Sequence, residues 1–321
     1  MILDVVAVAA GLVLLLGGGE VLVRGSVELA HRLGMSKLVI GLVIVGFGTS
    51  MPELLVSLRA ALAGTPGIVL GNVIGSNIAN VMLIVGTAAL IAPLGGWMRD
   101  AVRESMVALA VALALYGLIQ NGVISRVEGG LLVLALGAYL ATSYWQERRE
   151  RHVSLHEAEA AEFQDLPLRA GWIAPALVAS GLATLMLGAE LLVGGAVSLA
   201  RDLGVSEAVI GLSLVAVGTS LPELATAVVA SLRGHPEVLL GNVIGSCIFN
   251  ILAIVGLTAI FSPLDVAARF AQLDGVVMVA ALLLMTLLLT LRPAIGRGWG
   301  GAMLLGYCAY VAALFLNGAG Q

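Results

Sequence analysis

The chain has 321 residues, 60% of them hydrophobic and 11% charged, against roughly 45–50% and 25% in soluble domains. Such a composition excludes a water-soluble core. A net charge of -4, with basic residues scattered singly, excludes a nucleic-acid-binding stripe.

In chain order, apolar runs bounded by charges, Gly and Pro predict ten spans at about 3–23, 38–62, 68–92, 101–120, 123–145, 171–196, 208–232, 237–262, 270–291 and 299–317. Each suffices for a helix across a hydrocarbon layer roughly 30 Å thick. The first run has no basic n-region and reads as a retained span. The polar stretch from Gln146 to Arg169 separates five spans from five and reads as a linker. Lys and Arg are enriched on cytoplasmic loops. With the amino terminus outside, twelve of the sixteen fall on inner loops, so both termini are expected outside and the linker in the cytoplasm. Cys247 and Cys308 lie inside apolar segments and suggest no disulfide framework.

An internal repeat dominates the pattern: position n matches n+170 without a gap from about residue 17 to 90. Residues 39–86 and 209–256 are its most similar parts, with about half the positions identical. Five spans per half is an odd number, so the second half enters the membrane from the opposite side. The expected fold is therefore all-α and integral to the membrane, with two inverted-topology five-helix repeats at 1–145 and 170–321.

Glu53 and Glu223 are the paired acids of that repeat, set in apolar runs where a charge costs roughly 2.5–3.5 kcal/mol on insertion scales. Neither span carries an internal Lys, Arg or His, which leaves a bound cation, a proton or water to compensate the charge. Pro52 and Pro222 precede them and remove a helix N–H, freeing carbonyls in Gly48-Thr49-Ser50 and Gly218-Thr219-Ser220. Asn72, Ser76 and Asn80, like Asn242, Ser246 and Asn250, share one face of the next span at four-residue steps. Thr49, Glu53 and Ser57 form a second stripe, matched by Thr219 and Glu223 but with Ala227 in place of the serine. Gly71, Gly75, Gly241 and Gly245 allow close backbone approach. These oxygens suit hard cations, which take 6–8 oxygen ligands. His31, His152, His156 and His235 fall in or near loops; His152 and His156 form at most a regulatory metal site.

GTS-x-PE followed by GN-x-IGS-x-I-x-N, present twice, resembles the calcium/cation antiporter superfamily, specifically its prokaryotic sodium/calcium exchanger branch. The resemblance implies Ca²⁺ exchange for Na⁺, or alternatively for H⁺ or with K⁺ dependence, at Glu53 and Glu223 with the carbonyls of Thr49 and Thr219. It implies Na⁺ sites at Ser50, Ser76, Ser220 and Ser246, and a third polar pair at Asn80 and Asn250, where some exchangers carry an aspartate in place of Asn250. It further implies no enzyme activity, no cofactor, a prokaryotic inner membrane, inorganic cations as cargo and no obligate protein partner. Gly17-Gly18-Gly19-Glu20 and Gly188-Ala189-Glu190 mark first spans that could slide as a gate. A channel is the rival reading. An intramembrane hydrolase using Ser50 and Glu53 lacks both a GxSxG elbow and a nearby histidine.

Overall fold

The computed structural model describes residues 2–95, 99–154, 172–202 and 218–318, with backbone only at 147–154, 201 and 315–318. The described residues are almost wholly helical. The first half contains α1 (Ile2–Leu33), α2 (Lys37–Thr49), α3 (Met51–Leu62), α4 (Pro66–Ile91), α5 (Arg99–Ile119) and α6 (Arg126–Ser154). The second contains α7 (Ile173–Asp202), α8 (Leu221–Leu232), α9 (Pro236–Phe261), α10 (Phe270–Leu291) and α11 (Arg297–Gly318).

Seven of these helices are long and apolar enough to cross a bilayer, and α2 with α3, bent by 44° between them, make an eighth span. Leu3, Val13, Leu134 and Leu305 stand exposed on their surfaces, as lipid-facing side chains must. Of the ten expected spans, that at 208–232 is only part described: 208–217 lie outside the described residues and α8 supplies the rest. The span expected at 299–317 falls on helix α11, which is not among those seven.

The largest departures from the expected boundaries are at the ends of α1 and α6, and α7 also runs six residues past 196, to Asp202. Helix α1 continues ten residues past 23 because Glu20–Arg24 and Glu28–Arg32 are i,i+4 ion pairs, the second at 2.7 Å, so the charges prolong the helix. Helix α6 likewise runs past Gln146 to Ser154, through Glu and Arg, which are good helix formers. The all-α expectation also misses two strand pairs. Strand β1 (Leu94–Gly95) pairs antiparallel with β4 (Ala294–Ile295), and β2 (Val123–Ile124) with β3 (Leu264–Asp265). Adding 170 carries Leu94 to Leu264 and Ile124 to Ala294, so each pair maps onto the other and both join the two halves.

Two close helix contacts position the site. Helices α1 and α7 pack along a glycine seam with heptad spacing: Gly11, Gly18 and Gly25 face Gly181 and Gly188 and their neighbours. A Cβ on Gly11 would meet Leu192 N at 2.6 Å, and one on Gly181 would meet Leu22 N at the same distance, so only glycine lets these backbones touch. The second contact sets α2 against α9, where Gly41 and Gly46 meet Gly241 and Gly245 backbone to backbone. Of the seven long apolar helices α9 is the most enclosed, with 89% of its apolar window buried against 67% for its counterpart α4.

Candidate functional site

The chain leaves helical geometry at Ser50 (φ -84°, ψ 8°) and again at Ser220 (φ -89°, ψ 7°). Pro52 and Pro222 fall in the first turn of the helix that follows, where a missing N–H costs nothing. Glu53 and Glu223 fall in the same first turns, where the N-terminal end of the helix dipole favours negative charge. The interruption that the prolines predict is therefore present, with its corner at the serines rather than at Gly48.

Both glutamates are 1% exposed. Each is held by the serine that opens the other half's helix: Ser50 Oγ donates to Glu223 Oε1 at 3.1 Å, and Ser220 Oγ to Glu53 Oε1 at 3.4 Å. Ser220 Oγ also reaches Ser76 Oγ at 3.5 Å, and Ser246 Oγ donates to the carbonyl of Gly46 at 3.2 Å. Thr49 is buried, whereas Thr219 is half-buried; its hydroxyl lies near the Glu53 carboxyl without bonding geometry.

Asn80 and Asn250 are buried at the start of π-helical segments, Ala79–Val85 and Asn250–Val255. Such bulges are frequent at functional sites because they turn side chains and carbonyls out of the regular ladder. The ten residues singled out in the sequence lie on or at the ends of α2, α3, α4, α8 and α9, and hydrogen bonds join Ser50 to Glu223 and Ser220 to both Glu53 and Ser76. The structure leaves Glu53 Oε2, Glu223 Oε2, Asn80 Oδ1 and Asn250 Oδ1 buried without a donor. Buried acceptors ordinarily have a partner. Four that lack one, two of them carboxylate oxygens, are oxygens of the kind a hard cation takes as ligands.

Other buried acids show what satisfaction looks like. Glu104 accepts from Tyr139 Oη at 2.9 Å and pairs with Arg103 at 3.1 Å. Its counterpart under the 170-residue shift, Asp274, accepts from Tyr310 Oη at 3.0 Å and pairs with Arg269 at 3.1 Å. Among the described residues, Glu53 and Glu223 have no basic partner. Sequence reading missed Glu104 and Asp274, which sit near span ends and outside the gapless repeat, although their 170-residue separation was a usable signal.

It also missed Asn77. This residue is fully buried, accepts from Asn250 Nδ2 at 3.2 Å and donates to the Cys247 carbonyl at 3.5 Å. By occupying the nitrogen of the Asn250 amide, Asn77 turns the oxygen away and leaves it free. Cys247 and Cys308 are free thiols. His156 lies outside the described residues, and of His152 only the backbone is described.

A multi-pass helical membrane protein with two carboxylates buried among neutral oxygens, without basic partners among the described residues, has the groups that a cation-handling protein needs. The chain belongs to the sodium/calcium exchanger protein family, whose model matches residues 3–145 and 173–316. It is 35% identical to the sodium/calcium exchanger MaX1 of Methanosarcina acetivorans, covering 95% of this chain and 96% of the relative. It is 34% identical to the inner membrane protein YrbG of Escherichia coli K12, covering 98% of each. Among solved structures, the sodium-calcium exchanger NCX_Mj soaked with 2.5 mM Na⁺ and 10 mM Sr²⁺ superposes with a TM-score of 0.85 at 32% identity, over 98% of this chain and 99% of that one.

Proposed function

We propose that the protein exchanges Ca²⁺ for Na⁺ by alternating access, with Glu53 and Glu223 as the charged ligands. Two carboxylates balance one Ca²⁺, two Na⁺ or two protons, and competition for the same two charges couples the opposing movements. The carbonyls of Thr49 and Thr219, the hydroxyls of Ser50, Ser76, Ser220 and Ser246, and the amide oxygens of Asn80 and Asn250 complete the coordination. The carrying observation is four buried acceptor oxygens without donors, Oε2 of Glu53 and Glu223 and Oδ1 of Asn80 and Asn250, two from each half.

The proposed architecture is ten spans in two inverted five-helix repeats, 1–145 and 170–321, around a midplane site. Its support is the family match, interrupted between 145 and 173, and the interchange of the two strand pairs under the 170-residue shift. The charge bias of the loops favours a cytoplasmic linker at 146–169 with both termini outside, and the likeness to an inner membrane protein supports a cell (inner) membrane.

The test is Ca²⁺ flux in proteoliposomes under imposed ion gradients. Uptake driven by a trans Na⁺ gradient is expected. Uptake driven only by a proton gradient would reassign the counter-ion to H⁺, and flux indifferent to both would establish a channel.

A further inference from the structure

The 170-residue register pairs Asn72 on α4 with Asn242 on α9, yet their amides do different things. Asn72 Nδ2 donates to the Glu53 carbonyl at 3.1 Å and to Ser57 Oγ at 2.9 Å, tying α4 to α3 inside its own half. Asn242 reaches into the opposite half, where its Oδ1 accepts from Thr49 Oγ1 at 3.0 Å. Its Nδ2 is then buried without a partner, and so is Thr219 Oγ1, the counterpart of Thr49. A cation can satisfy a bare oxygen but never an N–H, so a bound ion does not account for the orphaned Asn242 nitrogen.

An exchange of conformation between the halves does account for it. Alternating access in inverted repeats is, to first order, each half adopting the arrangement of the other. In the mirrored arrangement Asn242 Nδ2 meets the Glu223 carbonyl, as Asn72 Nδ2 now meets that of Glu53, and Asn72 Oδ1 meets Thr219 Oγ1. We propose that Asn72 and Asn242 are reciprocal latches, positioning residues that fasten the corner at Thr49 in one access state and the corner at Thr219 in the other. This rests on the exchange reading given above.

The latches are unequal. Asn72 has Ser57 as a second acceptor, whereas the matching position beside Asn242 is Ala227, so the arrangement in the structure holds one hydrogen bond that its mirror lacks. The resting population therefore favours the arrangement shown. Because apparent affinity at each face scales with the population open to it, the asymmetry is measurable as the ratio of half-saturating Ca²⁺ at the two faces of oriented proteoliposomes.

Ser57→Ala weakens the observed arrangement and Ala227→Ser strengthens its mirror. Both shift the ratio in the same direction, by about fivefold each, the worth of one hydrogen bond, and together the shifts multiply. In an Asn242→Ala background Ala227→Ser has nothing to bond, and the ratio no longer responds to it. A ratio unmoved by these changes in protein that still transports, or moved equally by Ala227→Ser with and without Asn242, overturns the latch. If the added hydroxyl prevents folding, Ser57→Ala, which only removes an atom, decides the matter alone. A parent protein with no gradient-driven Ca²⁺ flux would instead sink the exchange reading itself.

Discussion

The two copies of the repeat agree at the proposed cargo ligands and part company one step away. Thr49, Ser50, Glu53, Ser76 and Asn80 have identical counterparts at 219, 220, 223, 246 and 250, while Ser57, Thr65 and Asn77 face Ala227, His235 and Cys247. A midplane site between two inverted repeats, as proposed, would look alike from both sides, which holds its oxygens to the two-fold relation. The residues that support those oxygens are free to differ, and through them two otherwise equivalent access states acquire different stabilities and different responses to the medium.

The largest expected effect breaks the equivalent part. Glu53→Gln and Glu223→Gln each remove one of two carboxylates and leave one charge against a divalent cation, so each is expected to reduce Ca²⁺ uptake to that of empty liposomes while the protein remains in the membrane. The two variants should fail equally. Exchange retained by both would contradict the assignment, and retained by one would show that the halves do not share the load.

A smaller effect follows from making the first copy like the second at a supporting position. Asn77→Cys removes the acceptor of the Asn250 amide hydrogen at 3.2 Å, so the Asn250 oxygen is no longer aimed by its own nitrogen. Half-saturating Ca²⁺ is expected to rise about fivefold, the equivalent of one hydrogen bond, with little change in maximal rate. Unchanged affinity would mean that the amide is oriented by the π-helical backbone alone.

These predictions separate what the sequence made legible from what it did not. The paired glutamates, the proline breaks and the polar faces were visible because they recur at a fixed shift and because charge in an apolar run is conspicuous. The π-helical segments that carry Asn80 and Asn250 leave no mark in residue type, since the same residues would also make an ordinary helix. The glycine seam between α1 and α7 was in view as single glycines, but which helix each one meets depends on packing between segments some 170 residues apart. The boundary errors at α1 and α6 share a cause. Charges mark the end of an apolar span, and in both places i,i+4 pairing or helix propensity carries the helix on.

The smallest effect concerns the loops that enter the two GN-x-IGS helices. They share a backbone, with Gly64 at φ 71° and Gly234 at φ 69°, each in the left-handed region that favours glycine. The next residue is Thr65 in one copy and His235 in the other. Partial burial, followed by the positive charge of Lys37, holds His235 below its ordinary value; Glu237 opposes this and Arg233 adds to it. Folding therefore favours the neutral ring. The unfolded chain binds the proton more readily, so this contribution to stability is complete above the ordinary histidine value of about 6.5 and is lost as pH falls below it. His235→Thr gives the second loop the residue of the first and should flatten the melting temperature of the detergent-solubilised protein between about pH 7.5 and 5.5, in the range where histidine titrates. The change is modest because the ring is partly solvated. An equally steep acid loss in the threonine variant would place the responsible proton elsewhere in the protein.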